Sequence, residues 1–372
     1  EKSEAAGIKD VRPLAELKPY LEAAARKGQP VRYLPTYRPE HRIKLLSLLG
    51  IMPGAEQPSV EFIKAVVNMR NYKSDEEIAE IERACNVTAD MHLRSLQMVR
   101  PGMRECEVAA AVQEVAAAHN FMLSFPTIAT VHGETLHNHD HSNVIRSGQL
   151  FLLDAGAETE MGYAGDMSST VPADPKFTAR QKEMFEIQLA SHEAAVKALR
   201  PGIRFEEVYD LSAEVIVEGM KSAGLMKGDA KEAVKAGAHA LFFPHGLGHM
   251  MGMDVHDMEG LGQTYVGFDD ETRPNLDQFG TNCLRMGRRL EEGFVVTDEP
   301  GIYFIPDLID LWRSQHTYDD FINFDKVEEY KDFGGIRIED DVLVTVDGCR
   351  FLGKDRIPYH VDEVEEFLAN RD

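Results

Sequence analysis

Arg100-Pro101-Gly102-Met103-Arg104-Glu105-Cys106-Glu107-Val108 recurs one hundred residues later as Arg200-Pro201-Gly202-Ile203-Arg204-Phe205-Glu206-Glu207-Val208. A Pro-Gly pair ends one helix and turns the chain toward the next. Two unrelated turns would share that pair, but the matching Arg, Glu and Val at the same offsets point to two related halves. Each copy lies between stretches with helical periodicity, so helix, turn, helix occurs twice. Strand-like sequence follows each copy, Gly148 to Leu153 after the first and Phe294 to Ile302 after the second. The expected fold is α+β: two pseudo-symmetric halves, with paired helices backing a curved, mainly antiparallel sheet.

Upstream of the first copy, Ser74-Asp75-Glu76-Glu77 reads as a capping box, and Ile78, Ile81, Ala84, Cys85 and Met91 continue at helical spacing. The stretch before it is thinner. Leu14 to Ala25 is helical and stopped by Gly28; His41 to Leu49 is helical and stopped by Gly50 and Pro53. Residues 1–72 are therefore read as the end of a larger N-terminal unit, and 73–372 as one domain built on the doubled motif.

The 372 residues carry 40 Lys plus Arg against 63 Asp plus Glu, a formal net charge of −23. A nucleic-acid reader or polybasic membrane docker needs a face of the opposite sign, so neither partner is expected. No apolar run approaches the roughly 18–20 residues of a membrane span, and Glu1-Lys2-Ser3-Glu4 opens without a signal-like stretch. Cys85, Cys106, Cys283 and Cys349 are far apart with no CxxC pair, which favours reduced thiols and a cytoplasmic compartment.

The chemistry gathers in a few places. Seven of the 14 histidines lie in two short stretches, His132, His137, His139 and His141, then His245, His249 and His256. Asp154 ends the apolar run Leu150-Phe151-Leu152-Leu153, and Asp166 lies across a turn from it, so a hairpin can bring both carboxylates to one face. Taken singly, each is as well read as a turn or cap residue. Glu299 closes the run Phe294-Val295-Val296-Thr297-Asp298. In Gly335-Ile336-Arg337-Ile338-Glu339-Asp340-Asp341-Val342, read as one strand, alternation turns Arg337 and Glu339 to one face. A carboxylate among so many Val, Ile and Leu needs a cation partner. Two glycines inside His245-Gly246-Leu247-Gly248-His249 argue for a loop or bent strand and against a helical zinc motif. His137-Asn138-His139-Asp140-His141 lacks a residue of the metallo-β-lactamase spacing.

Asp154-Ala155-Gly156-Ala157-Glu158 with Gly162-Tyr163-Ala164-Gly165-Asp166, then His245-Gly246-Leu247-Gly248-His249 with Asp254-Val255-His256-Asp257, then Glu299-Pro300-Gly301-Ile302-Tyr303, then Gly335-Ile336-Arg337-Ile338-Glu339 together resemble the ordered signature of the pita-bread (M24) metallopeptidases. Within that family the chain resembles the Xaa-Pro branch, prolidase and aminopeptidase P, over about residues 60–372. The resemblance implies the pita-bread fold, with residues 1–72 the remnant of a creatinase-like N-terminal domain. It also implies a site in which Asp154, Asp166, His249, Glu299 and Glu339 bind two divalent metal ions. Four carboxylates and one imidazole are a hard, oxygen-rich set that suits Mn²⁺, with Co²⁺, Fe²⁺ or Zn²⁺ as alternatives.

The implied activity is hydrolysis of the peptide bond before proline, with Glu299 moving the proton and the ions activating water. By the same resemblance His256 and His245 are catalytic, and His137, His245, His256, Arg285 and Arg337 contact a proline-containing di- or oligopeptide. Arg285 matches the prolidase position that binds a dipeptide carboxylate, and the insertion Pro306 to Lys331 with the sole Trp312 matches a prolidase arrangement; both favour Xaa-Pro dipeptides over the longer substrates of aminopeptidase P. Arg285 also reads as a surface arginine in a basic loop. A homodimer is implied. The two aspartates are 12 apart where the family commonly has 11, and Ser169 stands where many members have Arg. The rival from another class, a silent pita-bread peptide-binding module, is disfavoured because all five ligands are kept.

Overall fold

Ser74 opens the first long helix as its sequence predicts: Glu77 N donates to its Oγ at 3.3 Å, and its own N–H donates to Glu77 Oε2 at 2.9 Å. The computed structural model describes residues 7–354 and 356–371. Its main helices are α1 Leu17–Arg26, α2 Pro39–Leu49, α3 Val60–Arg70, α4 Asp75–Met98, α5 Glu105–Ala118, α6 Ala179–Ala198, α7 Phe205–Ser222, α8 Ala230–Ala236, α9 Pro306–Ser314 and α10 Val361–Asn370. The strands are β1 Met122–Leu123, β2 Ile128–Thr130, β3 Leu150–Ala155, β4 Ala157–Glu158, β5 Met167–Pro172, β6 Val295–Asp298, β7 Gly301–Tyr303, β8 Gly335–Arg337, β9 Asp340–Val344 and β10 Cys349–Phe351.

The repeated motif makes the same structure twice. Gly102 and Gly202 take φ of +96° and +89°, the left-handed region that suits glycine. Glu107 accepts the N–H of Arg104 at 2.7 Å, and Glu207 that of Arg204 at 2.9 Å. Gly102 N donates to Ile145 O and Gly202 N to Leu290 O, both at 2.8 Å. Each turn thereby holds the segment leading into a central strand, β3 in one half and β6 in the other. Helix α4 packs on α5, and α6 on α7.

Every strand pair is antiparallel, in the orders β2-β3-β5, β6-β9-β10, β7-β8 and β1-β4. Among the described residues a single bridge, Ser168 to Glu339, links the first half to the second, reinforced by Thr170 Oγ1 on the carbonyl of Arg337 at 3.0 Å. The expectation of one strand from Gly335 to Val342 is corrected here. The chain pairs with β7 as far as Arg337, then changes partner to β6 from Asp340, so Ile338 and Glu339 lie at the crossing. Phe294 to Ile302 splits in the same way at Glu299-Pro300, where proline has no N–H for a ladder.

Between helices and strands, Phe151, Phe185, Tyr209 and Phe294 belong to one continuous core. Ile63 and Val67 of α3 join it, whereas α1 and α2 bury no residue. The first six residues of the 1–72 segment lie outside the described residues. Trp312 is buried on α9 against Phe279 and Tyr318, a helical excursion within the insertion. Among the described residues no helix is long and apolar enough to cross a membrane.

Candidate metal centre

Strand β3 carries Asp154, and the hairpin register sets Asp154 opposite Ser168, so Asp166 sits just ahead of β5 on the same side. The hairpin closes tightly: a Cβ on Gly156 would lie 1.9 Å from the Gly165 carbonyl oxygen. His249 arrives from the loop that the two glycines predicted. A Cβ on Gly248 would lie 2.1 Å from Thr297 O, so only glycine lets this loop lie against β6. Thr297 Oγ1 accepts the N–H of His249 at 3.0 Å and reaches Glu299 Oε1 at 3.3 Å. The breaks at 299 and 339 supply the last two carboxylates.

Asp166, His249 and Glu339 each offer a ligand atom within 4.8 Å of the others. His249 Nε2 is 3.4 Å from Asp166 Oδ2 and 3.6 Å from Glu299 Oε1. Asp154 faces the same cleft but is tethered: Arg337 Nη2 donates to its Oδ2 at 2.7 Å. Burial holds Asp166 and Glu339 well above the usual carboxylate range, with repulsion from Asp154 added at Asp166 and from Asp166, Glu299 and Asp154 at Glu339. Glu299, for the same reasons and against the pull of His249, is pushed up to about 7. Asp154 Oδ1 and Asp166 Oδ1 are enclosed with no hydrogen-bond partner. Buried oxygen donors without protein partners, crowded by like charge, fit a site for hard divalent cations.

The cleft of about 290 Å³ is also lined by His137, His245, His256, Arg285 and Arg337. Their groups are not equally free. Arg337 spends Nε on Ser168 Oγ, Nη1 on Tyr303 OH and Nη2 on Asp154, and Ser168 Oγ passes on to Glu339 Oε2 at 2.7 Å. This guanidinium orders ligands more than it faces a substrate. His245, lowered to about 3 by burial and then by Arg337, is neutral; Nδ1–H donates to Gly246 O and Nε2 accepts from Tyr303 OH. His256 is lowered to about 3 by burial, with His249 and Arg285 adding to it. Its Nδ1 donates to Glu259 Oε2 at 3.1 Å, and Arg285 also pairs with Glu259.

Tyr303, Ser168, Thr297, Glu259 and Asp341 were given no role from the sequence. Asp341 accepts the N–H of Asp166 at 2.9 Å and the Cys85 thiol at 3.2 Å. Tyr303 and Asp341 lie inside the quoted motifs, a signal that was present. Glu259 and Ser168 are joined to the site only by packing. Ser169 bonds the buried ring of His92 at 2.7 Å.

A family model, metallopeptidase family M24, matches residues 79–346. The chain belongs to this family. As an M24 chain it is 32% identical over 315 residues to human Xaa-Pro dipeptidase, covering 82% of this chain and 62% of the human protein. It is 34% identical over 294 residues to Xaa-Pro aminopeptidase from Escherichia coli, covering 78% of this chain and 57% of that one. Among solved structures, E. coli aminopeptidase P in complex with substrate superposes with a TM-score of 0.78 at 30% identity, over 99% of this chain and 77% of that one. Aminopeptidase PepP from Pseudomonas aeruginosa gives 0.78 at 27%, with the same coverage. The fold of this M24 chain is thus that of aminopeptidase P, the pita-bread fold. Its match spans less than two thirds of the length of the human dipeptidase.

Proposed function

We propose that this chain is an exopeptidase that hydrolyses the bond before proline, acting on Xaa-Pro dipeptides. The observation that carries it is one cleft in which five metal-suited side chains, four further histidines and Arg285 converge. Asp154, Asp166, His249, Glu299 and Glu339 would hold two divalent ions, Mn²⁺ by the hardness of the donors. Such ions supply Lewis acidity toward the scissile carbonyl and a lower pKa for water.

Glu299 takes the proton of the attacking water and delivers it to the proline nitrogen. It is the most open of the ligands, with a side chain 19% exposed against 4–12% for His249, Asp166 and Asp154. Arg337 holds Asp154 and, through Ser168, Glu339. Tyr303 keeps the Nε2 of His245 occupied, so His245 presents its ring, not a free nitrogen. His256, with Nδ1–H on Glu259, leaves Nε2 as an acceptor that takes a substrate N–H and so orients the scissile bond. His137 borders the open side, and Arg285 meets the free carboxylate of a dipeptide.

The second reading is release of the first residue from longer peptides, as in aminopeptidase P. The pairing of Arg285 with Glu259 favours it, because a guanidinium already neutralised has less to offer a terminal carboxylate. A homodimer and a reducing, cytoplasmic compartment belong to either reading; the four cysteines are free thiols. The deciding experiment compares an Xaa-Pro dipeptide with an Xaa-Pro-Pro peptide under Mn²⁺. Faster turnover of the dipeptide is expected, lost on Arg285→Ala. Efficient cleavage of the longer peptide alone overturns the dipeptide preference, and cleavage of neither overturns the activity.

A further inference from the structure

Asp257 follows His256 and is itself only 3% exposed. Its carboxylate is shared by two cations, Arg70 at the end of α3 and Lys73 in the segment joining α3 to α4. Arg70 Nη2 donates to Oδ1 at 2.5 Å, and Lys73 Nζ to Oδ2 at 3.2 Å. Lys73 is as deeply enclosed, and its other hydrogen bond goes to the Arg70 carbonyl at 2.7 Å. The loop between His249 and Asp257 is pinned around this group. Asp257 N donates to Met250 O at 2.9 Å, and a Cβ on Gly252 would lie 2.4 Å from Asp257 Oδ2. From the pinned loop the His256 ring stands edge-on to His249, centroids 4.5 Å apart at 86°.

A buried carboxylate–ammonium pair is a poor device for stability alone, since desolvation offsets most of its attraction and apolar side chains of equal volume do as well. What it does supply is direction. A cation on each of its two oxygens leaves the carboxylate one position, and His256 is one peptide unit away from it.

We infer that Asp257, clamped by Lys73 and Arg70, is a positioning residue that sets the His256 ring against His249, and so couples the end of α3 to the site. Its effect on turnover rests on the proposed role of His256; its effect on the ring does not. Asp257→Asn keeps the shape and removes the charge. Arg70→Ala removes one cation from a side chain that is 27% exposed, and serves if the first variant does not fold.

Two readouts decide. In ring ¹H–¹⁵N spectra of the metal-free protein, with the His256 signals identified by their loss in His256→Ala, both variants should move or broaden those signals and leave those of His239, outside the cleft lining, unchanged. In peptide hydrolysis, Asp257→Asn should lower kcat on the order of 10- to 100-fold in the native background, the scale for an ångström of misplacement, and less than about twofold when His256 is already Ala. Unmoved His256 signals, or an equal loss in both backgrounds, overturn the inference. If the native protein cleaves no Xaa-Pro peptide, the proposed function fails, and the ring signals still decide the clamp.

Discussion

Thr297 accepts the buried backbone N–H of His249 on its side-chain oxygen at 3.0 Å. With Thr297 N on His249 O at 3.0 Å and Glu299 N on Leu247 O at 2.8 Å, that contact joins the strand leading to Glu299 to the loop carrying His249, and it is the side-chain tie between two candidate ligands. Thr297→Val keeps the shape and leaves the N–H without a partner. The expected cost is about 1–3 kcal/mol, read as a lower urea midpoint with an unchanged m-value, together with weaker Mn²⁺ binding in a titration. Binding as tight as in the native chain would show that the loop needs no such tie.

Arg337 is buried and pairs with Asp154 at 2.7 Å. Arg337→Met leaves that carboxylate enclosed without its cation, and the metal-free protein should lose roughly 3–5 kcal/mol. Saturating Mn²⁺ should recover part of the loss, because a bound cation takes over the pairing. Urea unfolding with chelator and with Mn²⁺ measures both. An equal loss in the two conditions would place Asp154 outside the metal's reach.

Chelation should lower the thermal midpoint of the native chain and Mn²⁺ should restore it. A ligand at 100 times its Kd adds about 2.7 kcal/mol to the folded state. Asp166→Asn and Glu299→Ala should each abolish peptide hydrolysis. In Asp166→Asn the metal-dependent rise should shrink as well, since Asp166 lies in the tightest part of the cluster. Near-native turnover in either variant would remove that residue from the site.

His239, which does not line the cleft, gives a pH prediction free of metal. It is buried against Tyr209, its Nε2 2.8 Å from the phenol oxygen, and burial lowers it from 6.5 to about 4. The unfolded chain takes up a proton below about 6.5 and the folded one does not until about 4. Stability from this group is therefore complete above pH 6.5 and falls as pH drops from there toward 4, by about 3 kcal/mol in total. His239→Gln should make urea unfolding less dependent on pH between 8 and 5. An unchanged dependence would mean that the ring is protonated in the fold.

The amino-acid sequence by itself determined the two-fold plan. Arg100-Pro101-Gly102 and Arg200-Pro201-Gly202 encode the same turn because a proline, a glycine at positive φ and a glutamate capping the next helix act locally, within a few residues. The candidate ligands could be proposed from sequence for a related reason: each lies in a short motif whose glycines or strand pattern are themselves local. What only the tertiary structure decided is which groups are free. Arg337 reads in sequence as a cation facing substrate, yet Ser168, Tyr303 and Asp154, from three distant segments, take its donors. The reading of 335–342 as one strand failed because the change of partner at Glu339 depends on β6 and β7, not on the alternation within the segment. Lys73 and Asp257 are 184 residues apart and carry no shared motif. Hydrogen bonds and ion pairs between remote segments follow from packing, and no local pattern records them.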